Sequence, residues 1–199
     1  MKSRLLFDAD GVMTLPEDYF SIVYSRSHGL DPEPFESFFR NEWHDFVIGK
    51  RDLRQHINEH PELWQWKGDA DSLLKYWFEI EDIRNVELID MIKTNRENGG
   101  LCYLATEQEK YRGNYMREVM FPELFDGFFI TAEMGIKKDR PEFYMQIISM
   151  LKKTNPSILP EDLVFIDDSQ SKVDAAQSVG IKGILYTGID SVRELLSVT

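Results

Sequence analysis

The stretch RLLFDADGVMT (residues 4–14) decides how the chain is read. Leu5, Leu6 and Phe7 run straight into two aspartates one residue apart, Asp8 and Asp10, and then into Gly11. A short apolar run of this kind reads as a buried strand. Two carboxylates so close to its end repel each other, and burying them is costly unless a positive charge compensates. The compensation has to come from elsewhere in the chain.

Four more short apolar runs follow the first: LCYLAT (101–106), FFIT (128–131), LVFI (163–166) and GILYT (183–187). Each is rich in β-branched or aromatic residues and reads as a strand. Helical patterns lie between them. Residues 86–97 place Val86, Ile89 and Ile92 on one side and stop at Asn98-Gly99-Gly100. Residues 110–120 carry Tyr115, Met116, Val119 and Met120. Residues 141–152 open on Pro141, and residues 171–179 stop at Gly180. Alternating strands and helices predict an α/β fold: a Rossmann-like, doubly wound parallel sheet of about five strands.

Residues 16–84 break that rhythm. They offer no strand, hold most of the aromatic residues, and are punctuated by Pro16, Pro32, Pro34 and Pro61 into about four helices. The expected organisation is an α/β core domain from 1–15 and 85–199, with a small α-helical domain, 16–84, inserted after strand 1.

Composition narrows the function classes. The 199 residues carry 35 acidic against 23 basic side chains, a net charge of −12. That opposes binding to a nucleic-acid backbone, which needs a basic face, and to an anionic membrane surface. Cys102, the single cysteine, cannot form an internal disulfide and reads as a buried strand residue. The apolar run after Lys2 and Arg4 ends at Asp8, too short for a signal peptide, and no segment approaches membrane-spanning length. The expectation is a soluble cytoplasmic protein, its oligomeric state left open.

In an open parallel sheet, ligands bind beyond the carboxyl ends of the strands. Asp8 and Asp10 follow strand 1, Thr106 closes strand 2, and Asp167 and Asp168 follow strand 4. Lys137 and Lys138 lie in GIKKDRPEFY, between strand 3 and the next helix. Singly, each has an ordinary reading as a loop residue, a helix cap or a solvated charge. Together they form a set of carboxylates, a hydroxyl and a cation at one edge of one sheet. Clustered carboxylates without histidine or cysteine suit a hard cation such as Mg²⁺. Phosphoryl transfer through an aspartate uses this set: one carboxylate attacks phosphorus, and a second carboxyl moves the protons. The hydroxyl and the lysine steady the equatorial oxygens.

The pattern resembles the haloacid dehalogenase-like (HAD) superfamily of hydrolases. LLFDADGVMT is similar to its first motif, CYLAT to its second, GIKKDRPEFY to its third and VFIDDSQSKVDAAQSVGIKGI to its fourth, in family order. The resemblance implies Asp8 as nucleophile and Asp10 as general acid/base. It implies Mg²⁺ held by the Asp8 carboxylate, the Asp10 backbone carbonyl and Asp168, with Asp167 acting through water, and phosphate bound by Thr106 and Lys138. It also implies that the helical insert is a cap. The expected function is a Mg²⁺-dependent phosphatase acting on a small phosphorylated metabolite through an aspartyl-phosphate. The alternatives are a phosphomutase of the same fold and a non-catalytic binding or regulatory protein. Asp10 speaks against a true dehalogenase, which lacks that aspartate. Glu107, Asp139 and Lys172 depart from the usual motif residues.

Two further features have a bland reading. Lys50, Arg51 and Arg54 read as a solvated helix start, and His56 with His60 as a surface pair four residues apart. The aromatic residues of 16–84 read chiefly as the core of the helical insert.

Overall fold

The computed structural model of the protein describes residues 4–197. Lys2 and the outermost positions of the expected core range, 1–3 and 198–199, lie outside the described residues. Among the described residues the first element is β1 (Arg4–Phe7), and six helices follow it. These are α1 (Phe20–His28), α2 (Glu33–Asn41), α3 (Trp43–Val47), α4 (Leu53–Glu59), α5 (Pro61–Trp64) and α6 (Ala70–Ile80). There follow α7 (Val86–Glu97), β2 (Leu101–Thr106), α8 (Lys110–Tyr115), a π-helical turn (Met116–Met120), β3 (Gly127–Ile130) and α9 (Thr131–Met134). The last elements are α10 (Pro141–Thr154), a 3-10 turn (Pro160–Asp162), β4 (Leu163–Asp167), α11 (Gln170–Gln177), β5 (Lys182–Leu185) and α12 (Asp190–Ser197).

The five strands form one parallel sheet in the order β3-β2-β1-β4-β5. β1 is central because it is apolar on both faces, as a strand covered on both sides must be. Leu5 and Phe7 pack with Cys102 and Leu104 against Leu88 and Ile92 of α7 and Val192 and Leu196 of α12. Leu6 faces the other way, with Tyr103, Ala105 and Phe165, against Phe143, Tyr144 and Ile147 of α10 and Ala176 of α11. Cys102 is fully buried, and burial pushes its thiol up to about 11, so it is a packing residue.

Local details differ from the periodicity. In α7 the buried face is Leu88, Ile92 and Asn95, whereas Val86 is exposed. The helix meets the sheet along i, i+4, i+7, and its first residue falls outside that line. The helix expected over 110–120 winds as α8 and then opens into the π turn, with the Phe121 amide bonded to the Met116 carbonyl at 2.9 Å. The wider winding turns Met116 and Met120 inward and leaves Val119 exposed. Thr131 is the first residue of α9 rather than the last of β3.

The six helices α1–α6 bury a separate aromatic core, including Phe20, Phe35, Phe38, Phe46, Trp64 and Trp77. Six short helices form, rather than four longer ones, because glycine and left-handed residues interrupt them, among them Gly29, Gly49 and Gln65. His56 lies inside this core instead of on the surface, 3% exposed, with its ring stacked on Phe38 at 4.9 Å. Burial, then His60 and Arg51, push its pKa down from 6.5 to about 4. An unfolded chain therefore takes up a proton between pH 6.5 and 4 that the folded chain refuses. The stability contributed by neutral His56 is complete above pH 6.5 and is lost as pH falls toward 4. We expect the native chain to lose about 2 kcal/mol more than a His56→Phe variant between pH 7.5 and pH 5, read by denaturant unfolding.

Candidate active site

β1 and β4 carry the centre of the site. The Asp8 amide donates to the Ile166 carbonyl at 2.9 Å, so Asp8 lies beside the end of β4, next to Asp167 and Asp168. Beyond Asp8 the chain coils tightly. The amides of Val12, Met13 and Thr14 all converge on the Ala9 carbonyl, at 3.2, 2.7 and 2.9 Å. Gly11 permits this with a φ of +79°. A Cβ at Gly11 would also meet Asp168 Oδ2 at 2.1 Å, so the missing side chain is what lets the loop lie against that carboxylate.

One carboxylate oxygen from each of Asp8, Asp167 and Asp168 falls within 4.8 Å of the others. Asp8 and Asp167 are buried and Asp168 is exposed. The buried charge is compensated by Lys138, itself wholly buried. Its Nζ pairs with Asp8 Oδ1, with Asp167 Oδ2 at 2.7 Å, and donates to the Ala105 carbonyl at 3.4 Å. Lys172, on the first turns of α11, lies 3.7 Å from Asp8 Oδ2 and 4.0 Å from Asp167 Oδ1. Burial opposes the Lys172 charge, but Asp8 and Asp167 together hold its pKa above the ordinary lysine value. Burial likewise pushes the Asp8 carboxyl up to about 6, with Lys138 opposing the rise and Asp167 adding to it.

Asp10 turns away from that cluster into a second network. Its Oδ1 accepts from Thr14 Oγ1 at 3.0 Å and Arg112 Nη2 at 3.2 Å, and its Oδ2 from Gln108 Nε2 at 2.6 Å. Burial alone would raise the Asp10 pKa, but Arg112 and these hydrogen bonds outweigh it and hold the carboxyl below the ordinary value. Arg112, 2% exposed, also pairs with Glu81 at 2.6 Å. Glu81 Oε1 in turn accepts the Phe20 amide that opens α1, at 2.7 Å. Glu109 caps α8 by accepting the amides of Tyr111 and Arg112, at 2.8 and 2.5 Å, and so fixes the turn that projects Arg112.

Thr106 ends β2, fully buried, and among the described residues its Oγ1 has no hydrogen-bond partner. A hydroxyl in that position is costly unless a ligand or water completes it. Glu107 accepts the Lys138 amide at 3.2 Å and lies 3.7 Å from Lys137. Asp139 lies at the surface, 3.6 Å from Arg140. Arg51 and Arg54 are engaged within the helical segment, by Glu42 at 2.8 Å and Asp71 at 2.6 Å.

Above the second network lies a cleft of about 410 Å³. Asp10, Glu107, Gln108 and Arg112 form its floor, and Tyr19, Phe39, Trp43 and Trp77 are among its walls. The aromatic residues of the helical segment thus divide: most form its core, and a few face the cleft. Gln108, Arg112 and Glu81 are site residues that no motif in the sequence marks, and Lys172 stands in the sequence only as a departure from the fourth motif. The signal available for Gln108 and Arg112 was their place just beyond Thr106, at the same sheet edge.

This architecture is the haloacid dehalogenase-like fold. A predicted HAD-like family hydrolase from Porphyromonas gingivalis superposes with a TM-score of 0.76 over 100% of both chains, at 18% identity. A HAD family enzyme from Bacteroides thetaiotaomicron, solved with magnesium and inorganic phosphate, superposes with a TM-score of 0.74 over 96% of this chain and 97% of that one, at 19% identity. Among curated proteins, a sesquiterpene phosphatase of Aspergillus oryzae is 26% identical over 104 residues, 52% of this chain and 50% of the relative. The chain thus matches only half the length of that relative. No protein-family model matches the chain. Among the described residues, no helix is long and apolar enough to cross a membrane.

Proposed function

We propose that the protein is a Mg²⁺-dependent phosphatase that cleaves a small phosphomonoester through an aspartyl-phosphate on Asp8. The observation that carries this reading is the convergence of Asp8, Asp167 and Asp168 at the carboxyl edge of the sheet, the first two paired with Lys138, with the Thr106 hydroxyl, which has no hydrogen-bond partner among the described residues, at the end of the adjoining strand.

The donor set fits a hard divalent cation: three carboxylates with oxygens close enough to share one ion, and no histidine or cysteine among them. Asp8, Asp168 and the Asp10 backbone carbonyl would hold it, with Asp167 supporting through water. Bound there, Mg²⁺ supplies positive charge that neutralises the carboxylates and the phosphoryl oxygens. Without it, three carboxylates face two lysines, which leaves an excess negative charge that would repel a phosphate dianion.

In the first half-reaction an Asp8 oxygen forms a bond to phosphorus while the bond to the leaving oxygen breaks. Asp10 gives that oxygen its proton, so the alcohol leaves neutral. In the second, Asp10 takes a proton from water as the water attacks phosphorus, which frees Asp8 and releases inorganic phosphate. The Asp10 contacts seen here are those of the base form. An arriving phosphate dianion raises the pKa of a neighbouring carboxyl and so favours the acid form needed first. Thr106 and Lys138 bind the phosphoryl oxygens. Helices α1–α6 act as a cap over the site, joined to it through Glu81 and Arg112.

The test is phosphate release from p-nitrophenyl phosphate. Turnover is expected with Mg²⁺ and is expected to fall at least about a hundredfold when a chelator removes the ion, then to return on its re-addition. Equal rates with and without chelator would refute the metal dependence.

A further inference from the structure

The cleft above Asp10 has a chemical character that selects among phosphomonoesters. It reaches Asp10, Gln108 and Arg112 but not Asp8, so it lies on the side where the leaving group would depart. Its volume, about 410 Å³, is within the range of small-molecule pockets. Tyr19, Phe39 and Trp43 give it an aromatic wall, backed by the buried rings of Phe20 and Trp77.

The charged groups lining it already have opposite partners. Asp10 and Glu81 share Arg112, at 3.2 and 2.6 Å. Arg40 is held by Glu33 at 2.6 Å and Glu36 at 3.4 Å, and Glu107 faces Lys137 at 3.7 Å. A second phosphate or a carboxylate on the substrate would find no uncommitted cation there and would meet Asp10, Glu36, Glu81 and Glu107. A substrate cation would compete with Arg112 and Arg40 for carboxylates that are already paired. A second anion is repelled by these carboxylates, while apolar surface is accepted by the aromatic wall.

We infer that the substrate is a phosphomonoester of an uncharged, largely apolar alcohol, whose hydrocarbon body is held by the aromatic wall of this cleft. This rests on the phosphatase reading above and assigns that site its substrate class. Aryl and aliphatic alcohols share the chemistry.

The experiment compares 1-naphthyl phosphate and geranyl phosphate with glycerol 3-phosphate, 3-phosphoglycerate and phosphocholine, with acetyl phosphate as a small control. kcat/KM for naphthyl or geranyl phosphate, or both, is expected to exceed that for the three polar esters by about a hundredfold. The first two arms tell aryl from aliphatic preference. Trp43→Ala is expected to raise KM for the preferred ester at least about tenfold more than KM for acetyl phosphate, and Trp43→Phe to restore most of the difference. Preference for any of the three polar esters would overturn the inference while leaving the phosphatase reading intact. Absence of turnover of every ester, and of the acyl phosphate acetyl phosphate, would instead refute that reading. Binding then decides the inference: quenching of tryptophan fluorescence by 1-naphthyl and geranyl methylphosphonate at concentrations well below those needed for glycerol phosphonate supports it, and equal concentrations overturn it.

Discussion

Asp8→Asn is expected to lower phosphate release by about 10⁴-fold or more while leaving the fold intact. The substitution keeps the shape of the side chain and removes the oxygen nucleophile. It also removes a charge that is costly in this position, since burial raises the Asp8 pKa to about 6 despite Lys138. The variant should therefore melt at or above the temperature of the native chain, which separates a chemical defect from a folding one. Steady-state phosphate release with saturating Mg²⁺, alongside thermal unfolding in chelator, where loss of a Mg²⁺ ligand does not enter, measures both. Activity within tenfold of the native chain would remove Asp8 from the chemistry.

Lys138→Met is the substitution with the largest expected effect on stability. Lys138 is fully buried and bridges two buried carboxylates, Asp8 and Asp167. Removing one partner of a buried ion pair leaves uncompensated charge and costs about 3–5 kcal/mol. Methionine fills a similar volume, so the loss is electrostatic rather than a cavity effect. Mg²⁺ should recover part of it, and more in the variant than in the native chain, because the ion then supplies the only strong compensation at the cluster. Lys172→Met should cost less than Lys138→Met, since Lys172 is partly exposed and stands 3.7 Å or more from its partners. Denaturant unfolding of the three proteins, with Mg²⁺ and with chelator, checks the order. Equal stability of native chain and Lys138→Met in chelator would show that the buried lysine does not compensate the aspartates.

Much of the sheet was legible in the sequence because its strands are short apolar runs ended by polar residues. Asp8, Thr106 and Asp167 each mark a strand terminus, and the parallel alternation of elements sends all three to one edge. The compensation for Asp8 and Asp10 was harder to read. Lys138 was suggested by its motif, but its position between two carboxylates depends on how the segment before α10 crosses the sheet. Arg112 and Glu81 were missed because they come from different parts of the chain and meet only when α6 closes over α8. The cleft was equally invisible. Phe39 and Phe38 are neighbours with the same side-chain chemistry, yet only Phe39 reaches the cleft wall while Phe38 packs against His56 and Trp64. Local pattern could assign both to a helix but could not tell core from wall.

The central claim is covalent catalysis at Asp8. Its most direct test is acid quenching of the protein during turnover of a phosphomonoester in Mg²⁺, followed by proteolysis and peptide mass analysis. One added phosphoryl group is expected on the peptide carrying Asp8, localised to that aspartate and absent from Asp8→Asn. Turnover with no phosphoryl group on Asp8 under these conditions, or with the group on another residue, would contradict it.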